Sequence, residues 1–178
     1  MLEKRRVGSV AALENRRVRG TIPLFRNLLT DGQYYERFAR DAFSGLDLSN
    51  VVLNLEHDNR TAVAKVSAGS LDISFDNNGL VFSANVINGS SGDELLEKVR
   101  SGVANQASIR YYHAPEDITE TEFKGKPLVI YNKIRVLADV CCTPAGAWSG
   151  QTVTRTRGAR KISSKDKILL LLHLNQNT

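Results

Sequence analysis

The residues best suited to chemistry are a serine in the stretch NQASIRYY, residues 105–112, and a histidine in NLEHDNR, residues 54–60. A serine hydroxyl is a weak nucleophile at neutral pH, and it becomes reactive when a neighbouring base removes its proton. Ser108 and His57 would therefore make a nucleophile and a general base if the fold brings them together. The alternative is that Ser108 is an ordinary strand serine and that His57 is a surface histidine paired with Asp58.

A basic residue follows closely after the serine. Residues two apart on a strand point to the same face, so Gln106, Ser108, Arg110 and Tyr112 share one face of a strand. A cation beside the serine offsets the negative charge that develops on a carbonyl oxygen during attack. We predict an auxiliary role for Arg110 at this oxyanion; the alternative is an ordinary surface charge.

The two cysteines, Cys141 and Cys142, are neighbours in the sequence. Neighbours in an extended segment point to opposite faces, so a disulfide between them would be strained. Their spacing does not match that of a zinc site. We interpret them as small buried residues of a reducing compartment and keep a cysteine nucleophile as the alternative.

Strands at either side of the candidate residues must position them. The run VVLNL, residues 51–55, is apolar and β-branched, and it indicates a buried strand that presents His57 at its end. The segments 62–75 and 80–87 predict a hairpin, because DNNG between them is a turn sequence. The segment DELLEKVR, residues 93–100, has apolar residues at helical spacing and predicts a helix just before the Ser108 strand.

The remaining segments complete the expected order of elements. We predict a first strand over residues 16–25, a short helix over 34–43, an acidic loop over 113–126 and one long strand over 128–142. Strands that follow one another without alternating helices favour an antiparallel sheet. The predicted fold class is α+β, mainly an antiparallel β-barrel with a few added helices.

Charge is concentrated at the two ends of the 178-residue chain. The formal net charge is +5, and residues 154–167 alone hold six basic residues and one acidic residue. Basic ends interact at most weakly with nucleic acid, whereas nucleic-acid-binding domains carry a basic stripe on the fold itself. No apolar run approaches the about 20 residues that span a bilayer.

These patterns divide the chain into four parts. We expect a mobile N-terminal segment or short helix over residues 1–15, and a folded domain over 16–148. A basic linker follows over 149–163, where glycine, threonine and arginine leave little to bury. A C-terminal helix or tail over 164–178 completes the chain, with an apolar ILLLL stretch that packs on the domain or docks on a partner.

Four motifs in a fixed order resemble the prohead (capsid maturation) serine protease family of tailed phages. GTIPLF followed by YYERFARDAF resembles the family's opening strand and the stretch after it. VVLNLEHD is similar to its strand that ends in a histidine-aspartate pair, and QASIRYY to its serine strand. LADVCCTPAG resembles its last core strand. The family's serine usually lies between glycines, whereas this chain has Ala107 before Ser108 and Arg110 at a glycine position.

The resemblance implies a fold like the herpesvirus capsid protease and a serine endopeptidase activity. It implies His57 as the general base, Ser108 as the nucleophile and Asp139 as the third member; His113 is the alternative third member. An unbroken strand would turn His113 to the face opposite Ser108. No cofactor and no metal are implied.

The same resemblance implies where the protein acts and on what. The expected substrate is a scaffold protein or the scaffold-like extension of a capsid protein, cut inside the assembling procapsid in the bacterial cytoplasm. It also implies self-processing and leaves self-association open. Two alternatives stand beside the protease: a catalytically silent shell component that keeps the fold, and a nucleic-acid-binding protein with basic ends.

Overall fold

The structure, a computed structural model, describes residues 2–30 and 32–144 and is built mainly of strands. Within these ranges the chain forms one α-helix, α1 (Ser90–Arg100), and short 3₁₀ turns at Asn59–Thr61 and Pro115–Asp117. The strands are β1 Leu2–Ala12, β2 Arg17–Pro23, β3 Leu28–Thr30, β4 Tyr34–Phe38, β5 Val52–Leu55, β6 Ala64–Lys65, β7 Leu71–Phe75, β8 Gly79–Asn85, β9 Gln106–His113, β10 Ile118–Phe123, β11 Lys126–Tyr131 and β12 Val136–Thr143.

Eight strands form the large sheet, in the order β6-β5-β12-β9-β1-β2-β8-β7. Every pair in it is antiparallel except β12 with β5. Its edges lie close together, since Ser70 N donates to Lys65 O at 3.3 Å and Ile87 N donates to Val63 O at 3.0 Å. The sheet is therefore nearly closed and barrel-like, as the sequence predicts. The expectation of a few helices is wrong for the described residues, which contain a single α-helix.

A second sheet supports the strand that carries Ser108. Its order is β10-β11-β4-β3, with β11 and β4 parallel. Phe38 of β4 stacks on Tyr131 of β11 with ring centroids 4.9 Å apart, and it meets Tyr111 of β9 edge-on at 5.0 Å. All three rings are almost fully buried. Aromatic side chains bury a large apolar area and so stabilise the fold, and these ring contacts therefore stabilise the packing of the second sheet against the core face of β9.

Several predicted elements are confirmed. The VVLNL strand is β5, and the helix over residues 93–100 is the C-terminal part of α1, which buries Leu95, Leu96 and Val99. The predicted hairpin is β7 with β8, but its first arm is shorter than the predicted segment 62–75, because residues 64–65 form the separate strand β6. In its turn, Asp76 Oδ1 accepts from Asn78 N at 2.7 Å and Gly79 N at 3.0 Å, so the turn is held by a side chain.

Two predictions about the first 43 residues are wrong. Residues 1–15 are not a mobile segment or short helix, because β1 occupies residues 2–12 and lies inside the large sheet between β9 and β2. Residues 34–43 do not form a helix. The first five residues of this segment form β4, and the residues that follow form turns. β1 and β4 each have a paired strand on both sides. The hydrogen bonds and packing of these pairs outweigh the weak helical propensity of the two segments.

Two further predictions concern the second half. The acidic stretch over residues 113–126 is not a loop, because it contains the edge strand β10 with alternate glutamates exposed. The segment 128–142 is not one strand but two, β11 and β12, which belong to different sheets. The basic linker 149–163 and the tail 164–178 lie outside the described residues. Among the described helices, none has the length and apolar character needed to cross a bilayer.

Candidate active site

Ser108 lies in the middle of β9, on the face turned away from the core. Ala107, Ile109 and Tyr111 alternate with it and are buried in the core. The strand is paired on both sides, with Ser108 opposite Val7 of β1 and Cys141 of β12. The residue is only 2% exposed although it faces outward. A central, doubly paired strand therefore fixes the backbone that carries the hydroxyl.

A tight turn after β5 presents His57. Glu56 and His57 both have positive φ, 56° and 62°, and Asp58 N donates to Leu55 O at 3.0 Å. This left-handed pair is the geometry of a type I′ turn, which favours glycine, asparagine and aspartate. Non-glycine residues in this region cost about 1–3 kcal/mol each and persist only where the surroundings enforce them.

Side chains after the histidine hold its loop to β5. Thr61 Oγ1 accepts from Leu55 N at 3.0 Å and contacts Asp58 O at 2.8 Å. Asp58 Oδ1 accepts from Arg60 N at 2.9 Å, and its carboxylate also pairs with the Arg60 guanidinium at 2.8 Å. The Arg60 hydrogen bonds lower the pKa of Asp58. Asp58 is therefore occupied by Arg60 and is not the partner of the His57 ring.

The histidine ring bridges the serine and an acid. Its Nε2 lies 3.0 Å from Ser108 Oγ, and its Nδ1 lies 2.5 Å from Asp139 Oδ1. The His57 side chain is 6% exposed and that of Asp139 is fully buried. Both distances fall within hydrogen-bond reach, so the three side chains form one continuous chain of polar contacts. This is the arrangement in which a histidine can accept a hydroxyl proton.

Asp139 comes from β12, immediately after an irregularity in the ladder. The pairing of β12 with β9 shifts between Leu137 and Asp139. Bulges re-aim side chains next to active sites. In the resulting register Asp139 lies opposite Arg110 of β9 on one side and opposite Val52 of β5 on the other. The neighbouring strand β5 leads into the turn that carries His57.

The second oxygen of Asp139 meets Arg110. Arg110 Nη2 lies 2.5 Å from Asp139 Oδ2, as an ion pair rather than an aligned hydrogen bond. The same nitrogen donates to Asn59 Oδ1 at 2.9 Å. These contacts place the guanidinium beside Asp139, at the opposite end of this series of polar contacts from Ser108 Oγ, and the auxiliary role of Arg110 at the oxyanion stays a prediction.

His113 is separate from these residues. It ends β9 and, at five residues from Ser108 on an unbroken strand, is buried on the opposite face. Its Nδ1 lies 2.9 Å from Ala114 O, and its ring meets Tyr131 with centroids 5.1 Å apart. The structure therefore brings Asp139, and not His113, to the His57 ring.

Both cysteines are buried in β12, and neither is in a disulfide. Cys142 faces the core, and burial raises the pKa of its thiol well above the ordinary value, so the thiolate is disfavoured. Cys141 shares the face of Ser108 and lies opposite it in the ladder, fully buried. Within residues 2–30 and 32–144, no three His, Cys, Asp or Glu side chains form a group able to hold a metal ion.

A polar cavity of about 680 Å³ begins two residues from Ser108 on the same strand. Gln106 and Ser9, which are paired across β9 and β1, form its near wall. Thr21 lies beyond Ser9, with the two hydroxyls 3.2 Å apart. The cavity does not include Ser108, His57 or Asp139 in its lining, so it adjoins the site rather than containing it.

Sequence reasoning missed Asn54 and Asn59. Asn54 is fully buried on β5, and its Nδ2 contacts Asn59 Oδ1 at 3.4 Å. A polar residue inside the apolar run VVLNL was the available signal, because a buried amide needs a polar partner. No feature of the sequence indicates the contact between Asn59 and Arg110, because this contact depends on how the loop after His57 folds over β9.

Comparison with protein-family models identifies one family. Residues 7–166 match the family model described as caudovirus prohead serine protease. The solved structure of the capsid assembly protease of bacteriophage T4 is similar at 14% identity with a TM-score of 0.43, over 79% of this chain and 99% of that one. No curated protein has a significant match. Because the family model spans most of its length, the chain belongs to the caudovirus prohead serine protease family.

Proposed function

We propose that the protein is a serine endopeptidase in which Ser108 is the nucleophile, His57 the general base and Asp139 the residue that orients the histidine. The observation that carries this proposal is the pair of contacts made by the His57 ring, 3.0 Å to Ser108 Oγ and 2.5 Å to Asp139 Oδ1. A buried carboxylate at Nδ1 holds the proton there and leaves the Nε2 lone pair facing the hydroxyl.

The first half of the reaction forms an acyl-enzyme. His57 Nε2 takes the proton of Ser108 as Oγ attacks the scissile carbonyl carbon, giving a tetrahedral intermediate. The imidazolium is stabilised by the Asp139 carboxylate. As the C–N bond breaks, Nε2 returns the proton to the leaving amine, and the acyl group stays on Ser108 as an ester.

The second half restores the enzyme. Water replaces the amine, and His57 Nε2 removes a proton from it as its oxygen attacks the ester carbonyl. Collapse of the second tetrahedral intermediate breaks the bond to Ser108 Oγ, which regains its proton from His57. The products are a new carboxyl terminus and a new amino terminus, and no metal or cofactor takes part in this scheme.

The family supports a capsid maturation role, and we propose its substrates in those terms. The protease cuts a scaffold protein or the extension of a capsid protein inside the assembling procapsid. The polar cavity beside Gln106 and Ser9 adjoins Ser108 on β9, and we propose that it receives part of the bound peptide. An extended peptide enters such a site more easily than a folded one, because its backbone is already unpaired.

Labelling with a fluorophosphonate tests the nucleophile independently of the unknown substrate. We expect one label per wild-type chain and none on Ser108→Ala, since the reagent reacts with an activated serine. Ser74→Ala, which removes an exposed serine from β7, is the matched control and should label like wild type. Labelling of Ser108→Ala at the wild-type rate would contradict the assignment and make Cys141 the next candidate.

Self-processing is a further part of the proposal. The folded domain, which includes β1, would release the tail over 164–178 by cleavage within the basic linker 149–163. Intact mass spectrometry of wild type and Ser108→Ala after the same incubation tests this. Loss of C-terminal mass in the wild type alone supports it, and identical intact masses contradict it.

A further inference from the structure

Arg110 is a charged residue in contact with Asp139 that the steps above do not use. It follows Ser108 by two residues on β9 and faces the same side. It lies directly opposite Asp139 in the ladder between β9 and β12, and its Nη2 contacts Asp139 Oδ2 at 2.5 Å. The Asp139 carboxylate therefore has one oxygen on the histidine and one on the guanidinium.

The same guanidinium reaches the loop that carries the histidine. Arg110 Nη2 donates to Asn59 Oδ1 at 2.9 Å, and Asn59 begins the 3₁₀ turn two residues after His57. Asn59 Oδ1 also accepts from the buried Asn54 of β5 at 3.4 Å. One side chain of β9 is thus bound both to the acid on β12 and to the loop after β5.

Burial gives these contacts their strength. The Asp139 side chain is fully buried and that of Arg110 is 16% exposed. An ionised carboxylate is strongly disfavoured in such surroundings unless a cation compensates it. A guanidinium is permanently charged and carries several N–H groups, so Nη2 can lie against Asp139 Oδ2 and also donate to Asn59 Oδ1. Lysine would supply the charge on a compact, flexible head group.

We propose that Arg110 is a positioning residue for this site. It acts through Asp139 and Asn59: its charge lies against Asp139 Oδ2 and keeps the carboxylate turned so that Oδ1 meets His57 Nδ1, and its contact with Asn59 fastens the His57 loop over β9. This inference rests on the proposed function. It assigns to Arg110 a role at the acid end of the triad, in place of contact with the developing oxyanion.

The experiment measures the rate of fluorophosphonate labelling of Ser108 in Arg110→Ala and Arg110→Lys. We expect Arg110→Ala to label about 100-fold more slowly than wild type, because small misplacements of reacting groups reduce rates by that order. Arg110→Lys should fall between the two. Millimolar guanidinium, below denaturing concentrations, should restore part of the Arg110→Ala rate, and the same concentration of tetramethylammonium should not.

Two controls separate positioning from a general loss of structure. Arg135→Ala removes a guanidinium from another buried carboxylate, Asp117, and should lower the melting temperature without changing the labelling rate of the folded protein. Asn59→Ala keeps the Arg110–Asp139 pair but releases the loop, and it should slow labelling by less than Arg110→Ala. Both controls are compared at a temperature where circular dichroism shows full folding.

The combination with Asp139→Asn distinguishes positioning from oxyanion stabilisation. If Arg110 acts through Asp139 and Asn59, adding Arg110→Ala to Asp139→Asn causes no loss beyond that of Asn59→Ala, because the carboxylate is gone and only the contact with the loop remains to be removed. If it stabilises the oxyanion, the two losses multiply, and that result overturns the inference. Wild-type labelling of Arg110→Ala would also overturn it. Failure of wild type itself to label would instead overturn the proposed function, and this inference with it.

Discussion

Replacing Asp139 by asparagine should nearly abolish the reactivity of Ser108, for a reason that depends on Arg110. The Asp139 side chain is fully buried between the His57 ring, with Nδ1 at 2.5 Å from Oδ1, and the Arg110 guanidinium, with Nη2 at 2.5 Å from Oδ2. An asparagine has only one acceptor oxygen. The guanidinium donates and cannot accept, so the amide oxygen must turn to Arg110 and the amide nitrogen must face the His57 ring.

That orientation forces the wrong tautomer. An N–H donor at Nδ1 requires Nδ1 to be the acceptor, which places the ring proton on Nε2, facing Ser108 Oγ at 3.0 Å. A protonated Nε2 cannot take the hydroxyl proton. The equivalent change in a well-characterised serine protease lowers kcat by about 10⁴, and we expect about 10³ to 10⁴ here, or about 4–5.4 kcal/mol in the activation free energy.

The assay is the rate of fluorophosphonate labelling at fixed reagent concentration, with folding checked by circular dichroism. His113→Ala is the control, because His113 is buried on the opposite face of β9 and should affect stability but not labelling. A labelling rate for Asp139→Asn within about threefold of wild type, less than 1 kcal/mol, would refute the tautomer argument. A large loss in His113→Ala alone would assign it the third role.

Two further predictions concern stability. Glu56→Asn should raise the free energy of unfolding by about 0.5–1 kcal/mol, since Glu56 has φ 56° and asparagine tolerates this left-handed region better; a lower melting temperature would count against strain in the turn. Asp117→Asn should lower the melting temperature at pH 7, because the Arg135 hydrogen bond lowers the pKa of Asp117, so its ionised form stabilises the fold above about pH 4. As pH falls through the lowered pKa, the wild type loses this contribution and the two melting temperatures should converge; a constant difference down to pH 2 would contradict it.

Local patterns were sufficient to predict the elements that carry the proposed reaction. The apolar run before His57 and the alternation around Ser108 gave their strands correctly, because both signals depend on burial within one element. Predicting that His57 contacts both Ser108 and Asp139 required the family resemblance. His57 is 51 residues from Ser108 and 82 residues from Asp139 in the sequence. The spacing of residues along the chain does not show which side chains of distant strands meet in the folded sheet.

The wrong predictions share a physical cause. β1 lies between two strands although its sequence begins with charged residues, so its pairing is decided by neighbours far away in the chain. β4 contains Glu36, a residue type that favours helices. Here Glu36 is buried in a strand, and its carboxylate accepts hydrogen bonds from the Thr30 hydroxyl at 3.0 Å and the Tyr131 hydroxyl at 2.6 Å. The segment 128–142 breaks at Asn132 to Arg135 because its halves serve different sheets.

The parallel pairing of β5 with β12 also determines when the protein can become active during its synthesis. His57 leaves the ribosome 82 residues before Asp139, an interval of about 4–16 s at about 5–20 residues per second. Until β12 emerges, β5 has no partner on that side, and β9 lacks the neighbour that carries the acid. Long-range pairing of this kind is also slow to form. Under the proposed assignment, a nascent chain therefore holds the serine and the histidine without the acid, and we expect it to stay unreactive toward neighbouring proteins until β12 pairs with β5 and β9.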